Sequence, residues 1–168
     1  MSFIFQTERL TVRQYSMSDL RNFAELNGSS DVMRYIRTPK TYEESKVFLS
    51  DIIRMYDILS SPGRLAVETK DSKQFIGSFA VIPIIGTQLT QIGYALLKPY
   101  WGYGFASELV KGSMPFLREM KIDPVYGITY PENIASQQVL IKNGFVFDQK
   151  FMDDDVELFR YVYQFIES

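Results

Sequence analysis

From Thr7 to Gln14 apolar and polar positions alternate, with Leu10 and Val12 set against Thr11 and Arg13, which is the period of a half-buried strand. Ser18 is placed to cap a short helix over Asp19 to Leu26, which Asn27-Gly28 would end. Thr41-x-x-Glu44 has the capping-box pattern. It opens a longer helix in which Phe48, Ile52, Met55 and Leu59 step by helical spacings, and Ser61-Pro-Gly63 stops it. Strands are predicted at about Arg64–Lys70, Phe75–Ile82 and Gln88–Lys98, separated by turns at Asp71-Ser-Lys73 and Ile85-Gly-Thr87. A helix follows over Phe105–Met120, where Pro115 predicts a kink or an early end. Val125–Tyr130 reads as a strand and Ile134–Lys142 as a helix that Gly144 leads out of. Phe145–Phe151 and Val156–Phe165 read as a final hairpin. The order predicts one α+β domain over residues 1–168, with a mixed, mostly antiparallel sheet. The crossover from Gln88–Lys98 through a helix to Val125–Tyr130 makes a β-α-β unit with a parallel pair.

The stretch Tyr100-Trp-Gly-Tyr-Gly-Phe-Ala106 carries the chemical signal, because it joins a strand to the start of a helix. A glycine-rich turn there exposes free N–H groups at the positive end of the helix dipole, a site for an anion such as phosphate. Gly102 and Gly104 fit two glycines of the dinucleotide pattern, but Ser107 stands at the third position and no Lys-Ser or Lys-Thr follows. Neither a dinucleotide fold nor a P-loop is written. A tight turn without ligand is the alternative reading of the same residues.

Composition narrows the chemistry by exclusion. The chain has no His and no Cys, which rules out cysteine nucleophiles, Ser-His-Asp triads and His/Cys zinc sites. Asp153-Asp-Asp155 is the one carboxylate run, and it lacks calcium-loop spacing, so no metal site is predicted. A net charge of −2 gives no electrostatic reason for nucleic-acid binding. The apolar runs are short and interrupted, and Met1-Ser-Phe-Ile-Phe-Gln-Thr-Glu has neither a basic start nor a sustained apolar stretch. Neither a membrane span nor a secretory signal is expected, and the zero cysteine count fits the cytoplasm.

Taken together, Thr7-Glu-Arg-Leu-Thr-Val-Arg13, Phe75-Ile-Gly-Ser78, Ile92-Gly-Tyr94, Tyr100–Ala106, Asn133-x-x-Ser136 and Asn143-Gly-Phe145 resemble the GNAT superfamily of N-acetyltransferases. The pattern is most similar to the branch that acetylates ribosomal-protein N-termini. The resemblance implies acetyl-coenzyme A as co-substrate, with its pyrophosphate at the helix start after Gly104 and its acyl arm between two splayed strands. The coenzyme-binding candidates are then Ile92, Tyr94 and Leu96 on the strand, Trp101, Gly102, Tyr103, Gly104, Phe105, Ala106 and Ser107 at the turn, and Asn133. Ser136 is implied near the sulfur as donor to the leaving thiolate, and Gly93 beside the thioester, where it adds no side chain. Asn133 also reads as an N-cap, and Gly93 as a bulge or packing glycine.

Two positions depart from the superfamily's common pattern. Trp101 stands where Gln or Arg is frequent, and its indole reads as core beneath the turn, with a wall of the acceptor pocket as the alternative. Gln91 stands where branch members often carry an acid, and a glutamine cannot serve as a base. Glu132 and Glu68 are the carboxylates to test, with Tyr94 and Tyr130 as polar wall residues. Without an evident base, an acceptor that is already partly neutral is favoured. At pH 7 a lysine amine of pKa about 10.4 is about 0.04% neutral, an α-amine near 7.8 about 14%. Acceptor selection falls to the early helices and the loop over 27–42, with Met33, Tyr35 and Ile36 as candidates. The expected partner is an amine, a protein N-terminus or a small molecule, met by a monomer or homodimer. A coenzyme-binding sensor without turnover and an interaction domain that has lost its ligand remain open.

Overall fold

The computed structural model describes residues 3–166, so Met1 and Ser2 of the opening stretch lie outside the described residues. Its elements in chain order are β1 (Phe3–Gln6), β2 (Leu10–Gln14), α1 (Leu20–Gly28), α2 (Ser30–Met33), α3 (Tyr42–Met55), β3 (Gly63–Thr69), β4 (Phe75–Pro83) and β5 (Thr90–Leu96). Then follow α4 (Phe105–Glu119), β6 (Val125–Thr129), α5 (Ile134–Lys142), β7 (Val146–Asp153) and β8 (Val156–Tyr163). The eight strands form one sheet in the order β1-β2-β3-β4-β5-β6-β8-β7. All neighbours are antiparallel except β5 and β6, which run parallel because α4 crosses between them.

Alternation along the strands sends apolar side chains to both faces. Val12, Leu65, Val67, Phe79, Val81 and Ile92 pack with Leu109, Leu117 and Leu140 beneath α4 and α5. Tyr15, Phe23, Leu26, Met33, Leu49 and Ala66 form a second core beneath α1, α2 and α3.

Several boundaries differ from expectation, each for a physical reason. The strand predicted from Thr7 begins at Leu10, because Thr7 N–H turns back to the Leu10 carbonyl (2.9 Å) and an additional strand, β1, precedes it. The cap before α1 is Ser16 rather than Ser18: Ser16 N–H donates to Asp19 Oδ2 (2.8 Å), opening a short 3-10 turn over Met17–Asp19. The Thr41 box forms as predicted, with Glu44 N–H on Thr41 Oγ1 (3.2 Å) and Thr41 N–H on Glu44 Oε2 (2.7 Å). α3 nevertheless ends at Met55 instead of running to Leu59. Tyr56 Oη draws the chain back by accepting from Tyr15 N–H (2.9 Å) and donating to the Arg64 carbonyl (2.5 Å). α4 runs past Pro115 to Glu119 without the expected early end. Pro115 and Lys111 both lie on the exposed side of α4, where water can replace the donor that the proline lacks. Asp153–Asp155 is an exposed hairpin turn, and no cluster of three metal-binding side chains occurs among the described residues.

Candidate active site

The parallel pairing of β5 with β6 stops early. Thr90 pairs with Val125, Gln91 with Tyr126 and Ile92 with Gly127, and the register goes no further. On its other side β5 stays paired with β4 through Leu96. Residues 93–96 therefore present one row of backbone groups to an opening between the strands. Ile92 and Leu96 are buried, while Gly93 and Tyr94 are half-buried at the divergence. Tyr94 reaches from β5 to α5, where its Oη lies 3.0 Å from Ser136 Oγ. Burial raises the Tyr94 hydroxyl to about 12, against the opposing effect of Ser136, so it is a neutral hydrogen-bond donor at physiological pH. Asn133 Oδ1 accepts the Ser136 N–H (3.2 Å) and so caps α5. The cap fixes where Ser136 emerges on the first turn.

At the carboxyl end of β5 the chain turns through Lys98–Tyr100 and the two glycines into α4. Gly102 (φ 79°) and Gly104 (φ 80°) both take the left-handed conformation that disfavours a Cβ. The first α4 residues, Phe105, Ala106 and Ser107, follow directly, and their N–H groups have no intrahelical partner. Trp101 is a correction: its side chain is 45% exposed instead of buried. Its indole N–H donates to the Leu96 carbonyl (2.7 Å), which pins the ring on the surface past the strand end. Tyr103 is also exposed.

A brace that local sequence reading missed holds the turn from below. Glu108, on the first turn of α4, accepts from Thr7 Oγ1 (2.5 Å), Arg9 N–H (2.8 Å) and Arg9 Nε (2.6 Å). Arg9 Nη2 then donates to the Tyr103 carbonyl (3.0 Å), and its guanidinium lies 4.3 Å from the Phe105 ring centre. Gly112, one turn further on, lets α4 approach so closely that a Cβ there would stand 2.4 Å from Thr7 Cγ2. Thr7-Glu-Arg9 thus serves the glycine turn from the opposite end of the chain. Asn143 ties the two helices together through Nδ2, which donates to Ser107 Oγ (3.0 Å).

The remaining candidates separate. Glu68 is buried in an ion pair with Arg13 (2.9 Å), which also holds Asp19 (2.9 Å), so it is committed to structure. Glu132 is exposed, Met33 belongs to the core and Ile36 is exposed. Tyr35 meets Tyr130 with ring centres 5.8 Å apart, joining the loop after α2 to the end of β6.

The structure thus brings a splayed parallel pair, a glycine turn at its carboxyl edge and a tyrosine–serine contact to one side of the sheet. The chain matches the acetyltransferase (GNAT) domain family over residues 9–146 and belongs to that family. It is 23% identical over 146 residues to YoaA, an uncharacterized N-acetyltransferase of Bacillus subtilis (strain 168), covering 84% of this chain and 82% of that one. The crystal structure of a GNAT-family acetyltransferase from Bacillus anthracis superposes with a TM-score of 0.84 at 22% identity, over 97% of this chain and 98% of that one. RimL, a ribosomal L7/L12 alpha-N-protein acetyltransferase solved in complex with coenzyme A, superposes with a TM-score of 0.78 at 17% identity, over 97% and 98% of the two chains. The protein is an acetyl-coenzyme A-dependent N-acetyltransferase. Among the described residues no helix is long and apolar enough to cross a membrane.

Proposed function

We propose that the enzyme acetylates a primary amine by direct attack in a ternary complex, and that the acceptor is the α-amine of a protein N-terminus. The opening between β5 and β6 beside the Tyr94–Ser136 contact carries this reading. Bound there, acetyl-coenzyme A supplies an activated acetyl thioester. The N–H groups of residues 105–107 and the two glycines suit its pyrophosphate, which they can meet at the positive end of α4. The unpaired edge of β5 offers backbone donors where charge develops on the acyl oxygen, and Gly93 leaves that edge unobstructed. Ser136, fixed by the Asn133 cap and backed by the Tyr94 hydroxyl, is the proton donor at the sulfur.

Glu68 is committed to its ion pair and Gln91 cannot ionise as a base, which leaves the exposed Glu132 before α5 as the one carboxylate candidate without a salt bridge among the described residues. An acceptor with a substantial neutral fraction at pH 7 suits such a site, and an α-amine has about 300 times the neutral fraction of a lysine side chain. RimL acts on an α-amine, as its name states, and its structure has the same fold.

The test is a competition assay with acetyl-coenzyme A and two equimolar peptides. One has a free α-amine and no lysine; the other has a blocked N-terminus and one lysine. Preferential acetylation of the free α-amine is expected. Equal or preferential acetylation of the lysine would defeat the acceptor assignment and leave the acetyltransferase activity standing.

A further inference from the structure

Three cations converge on one aromatic ring on the sheet face opposite α4. The guanidinium carbons of Arg37 and Arg64 lie 5.0 and 5.5 Å from the centre of Phe48, and Lys40 Nζ lies 5.3 Å from it. Arg37 leaves the loop before α3, Arg64 stands on β3 and Phe48 on α3. None of the three cations forms an ion pair among the described residues. The paired carboxylates serve other cations: Glu108 holds Arg9, Asp19 and Glu68 hold Arg13, Asp51 holds Arg54, Asp31 holds Lys98 and Asp148 holds Arg160. The one side-chain bond made by these cations is from Arg37 Nη1 to the neutral Asn27 Oδ1 (3.0 Å). Burial lowers the affinity of both guanidiniums for their protons, and the charge of Arg64 adds to the effect on Arg37, which falls to about 10. Arginine stays charged at neutral pH, and here the Phe48 ring and Asn27 hold the two guanidiniums with no carboxylate paired to them among the described residues.

An independent feature points into the same place. Tyr15 is 3% exposed, and its Oη is a buried polar atom without a hydrogen-bond partner. It lies within electrostatic reach of both Arg37 and Arg64. The neighbouring Ser78 hydroxyl donates to the Leu65 carbonyl (3.2 Å) and opposes the effect of burial on Tyr15. Burial still raises the Tyr15 pKa, so the phenol is a neutral donor, and its oxygen makes no hydrogen bond among the described residues.

Sheet register connects the cluster to the acyl site. Arg64 is directly opposite Ala80, and Ala80 is directly opposite Gly93. Directly paired residues share a face, and two strand spacings put the Arg64 backbone about 10 Å from Gly93. Only small side chains lie between: Ala80 in that row, and Ala66, Ser78 and Ala95 in the next. A cavity of ≈ 190 Å³ opens beside Phe48 and Arg64; Asp51, on its rim, is exposed and paired with Arg54 (2.9 Å).

We propose that Arg37, Arg64 and the Tyr15 hydroxyl bind a carboxylate carried by the acceptor, so that the enzyme selects amines bearing an acidic group. This rests on the reading that the amine meets the acetyl group at Gly93. Two guanidiniums and a phenol offer a carboxylate charge-assisted bonds to both oxygens, with Lys40 adding positive charge beside them. The carboxylate is either the α-carboxylate of a free amino acid or an acidic side chain near a peptide N-terminus.

The test compares matched ligands by calorimetry on protein saturated with desulfo-coenzyme A, so that no turnover occurs. The small pair is alanine and alaninamide; the peptide pair is Ser-Asp-Glu-Ala-amide and Ser-Asn-Gln-Ala-amide. In at least one pair the acid is expected to bind tenfold or more tightly than its amide. Preference in the first pair identifies a free amino acid, and in the second an acidic N-terminus. Arg64→Gln and Arg37→Gln should each erase that preference, leave acetyl-coenzyme A affinity within about twofold, and raise the melting temperature of the unliganded protein. A merely structural arginine would lower it. Tyr15→Phe, which removes only the hydroxyl, should weaken the acid and not the amide. No preference by the wild type, no acid binding at all, or a preference that survives in folded Arg64→Gln would each overturn the proposal. Acetyl-coenzyme A binding and acetylation of neutral amines would in those cases still support the acetyltransferase reading.

Discussion

Replacing Glu108 by glutamine removes one charge from the brace under the glycine turn and leaves its shape. In the wild type Oε1 accepts from Thr7 and the Arg9 backbone, and Oε2 accepts from Arg9 Nε at 2.6 Å. A glutamine that keeps its oxygen on the first pair must turn its NH2 towards Arg9 Nε, donor against donor. One charge-assisted bond is lost, worth about 1.5–3 kcal/mol. With the Arg9 side chain 45% exposed, solvent screening reduces this to about 1–2 kcal/mol. For a chain of this length that lowers the melting temperature by about 2–8 °C. Freed Arg9 also releases the Tyr103 carbonyl, so acetyl-coenzyme A should bind up to about tenfold more weakly, as the turn must be reordered on binding. Acid supplies the control. Burial works against the Glu108 charge, but the Thr7 hydroxyl and the Arg9 N–H groups outweigh it and hold its pKa below the ordinary 4.5. A depressed carboxylate stabilises fully above its unfolded pKa, and that contribution is lost as pH falls through the folded value. The gap between wild type and Glu108→Gln should thus stay constant from pH 7 to about 4.5 and narrow below it. Thermal unfolding of both proteins across that range, with a coenzyme titration at pH 7, tests the reasoning. A gap that is absent at pH 7 or persists undiminished at pH 3 would refute it.

Other perturbations separate binding from chemistry. Ser136→Ala should lower the turnover rate while leaving acetyl-coenzyme A affinity nearly intact; a normal turnover number would remove Ser136 from the mechanism. Tyr94→Phe, which takes away the hydroxyl 3.0 Å from Ser136 Oγ, should lower turnover in the same direction. Adding it to Ser136→Ala should cost little more, and additive losses would show that the pair does not act as one unit. Gly104→Asp puts a side chain and a negative charge at a left-handed position beside the helix start, and calorimetry should find coenzyme binding abolished in a folded variant. In Gly77→Ala the new Cβ would stand 2.1 Å from the Ala95 carbonyl oxygen, so β5 must move and stability should fall by about 3 kcal/mol or more in denaturant titrations.

What the sequence made legible was local. The Thr41–Glu44 box, the two glycines before α4 and the Asn133 cap each lie within a few residues of their partners, and each forms as read. The cap went to Ser16, on the 3-10 turn that leads into α1, rather than to Ser18, because both serines precede the helix and only tertiary anchoring of Asp19 by Arg13 selects between them. The end of α3 depends on Tyr56, whose two partners are Tyr15, just past β2, and Arg64 on β3. Trp101 followed the rule that large aromatics bury until a single bond to the Leu96 carbonyl decided otherwise. The Arg9–Glu108 brace spans 99 residues, and Arg37 and Arg64 meet over the Phe48 ring only after α3 has folded across β3. No periodicity encodes such contacts.

The span of that brace bears on how the enzyme becomes active. Thr7 and Glu108 are 101 positions apart, so the glycine turn cannot be secured until most of the chain has been made and β1 to β5 have assembled. Contacts of this separation close late, after shorter-range pairing has offset the entropy of the intervening loop. With the coenzyme at the glycine turn as proposed, its affinity would read out completed folding: a nascent or partly unfolded chain has its glycines but not their support. A ligand that binds only the finished turn would hold that state in place.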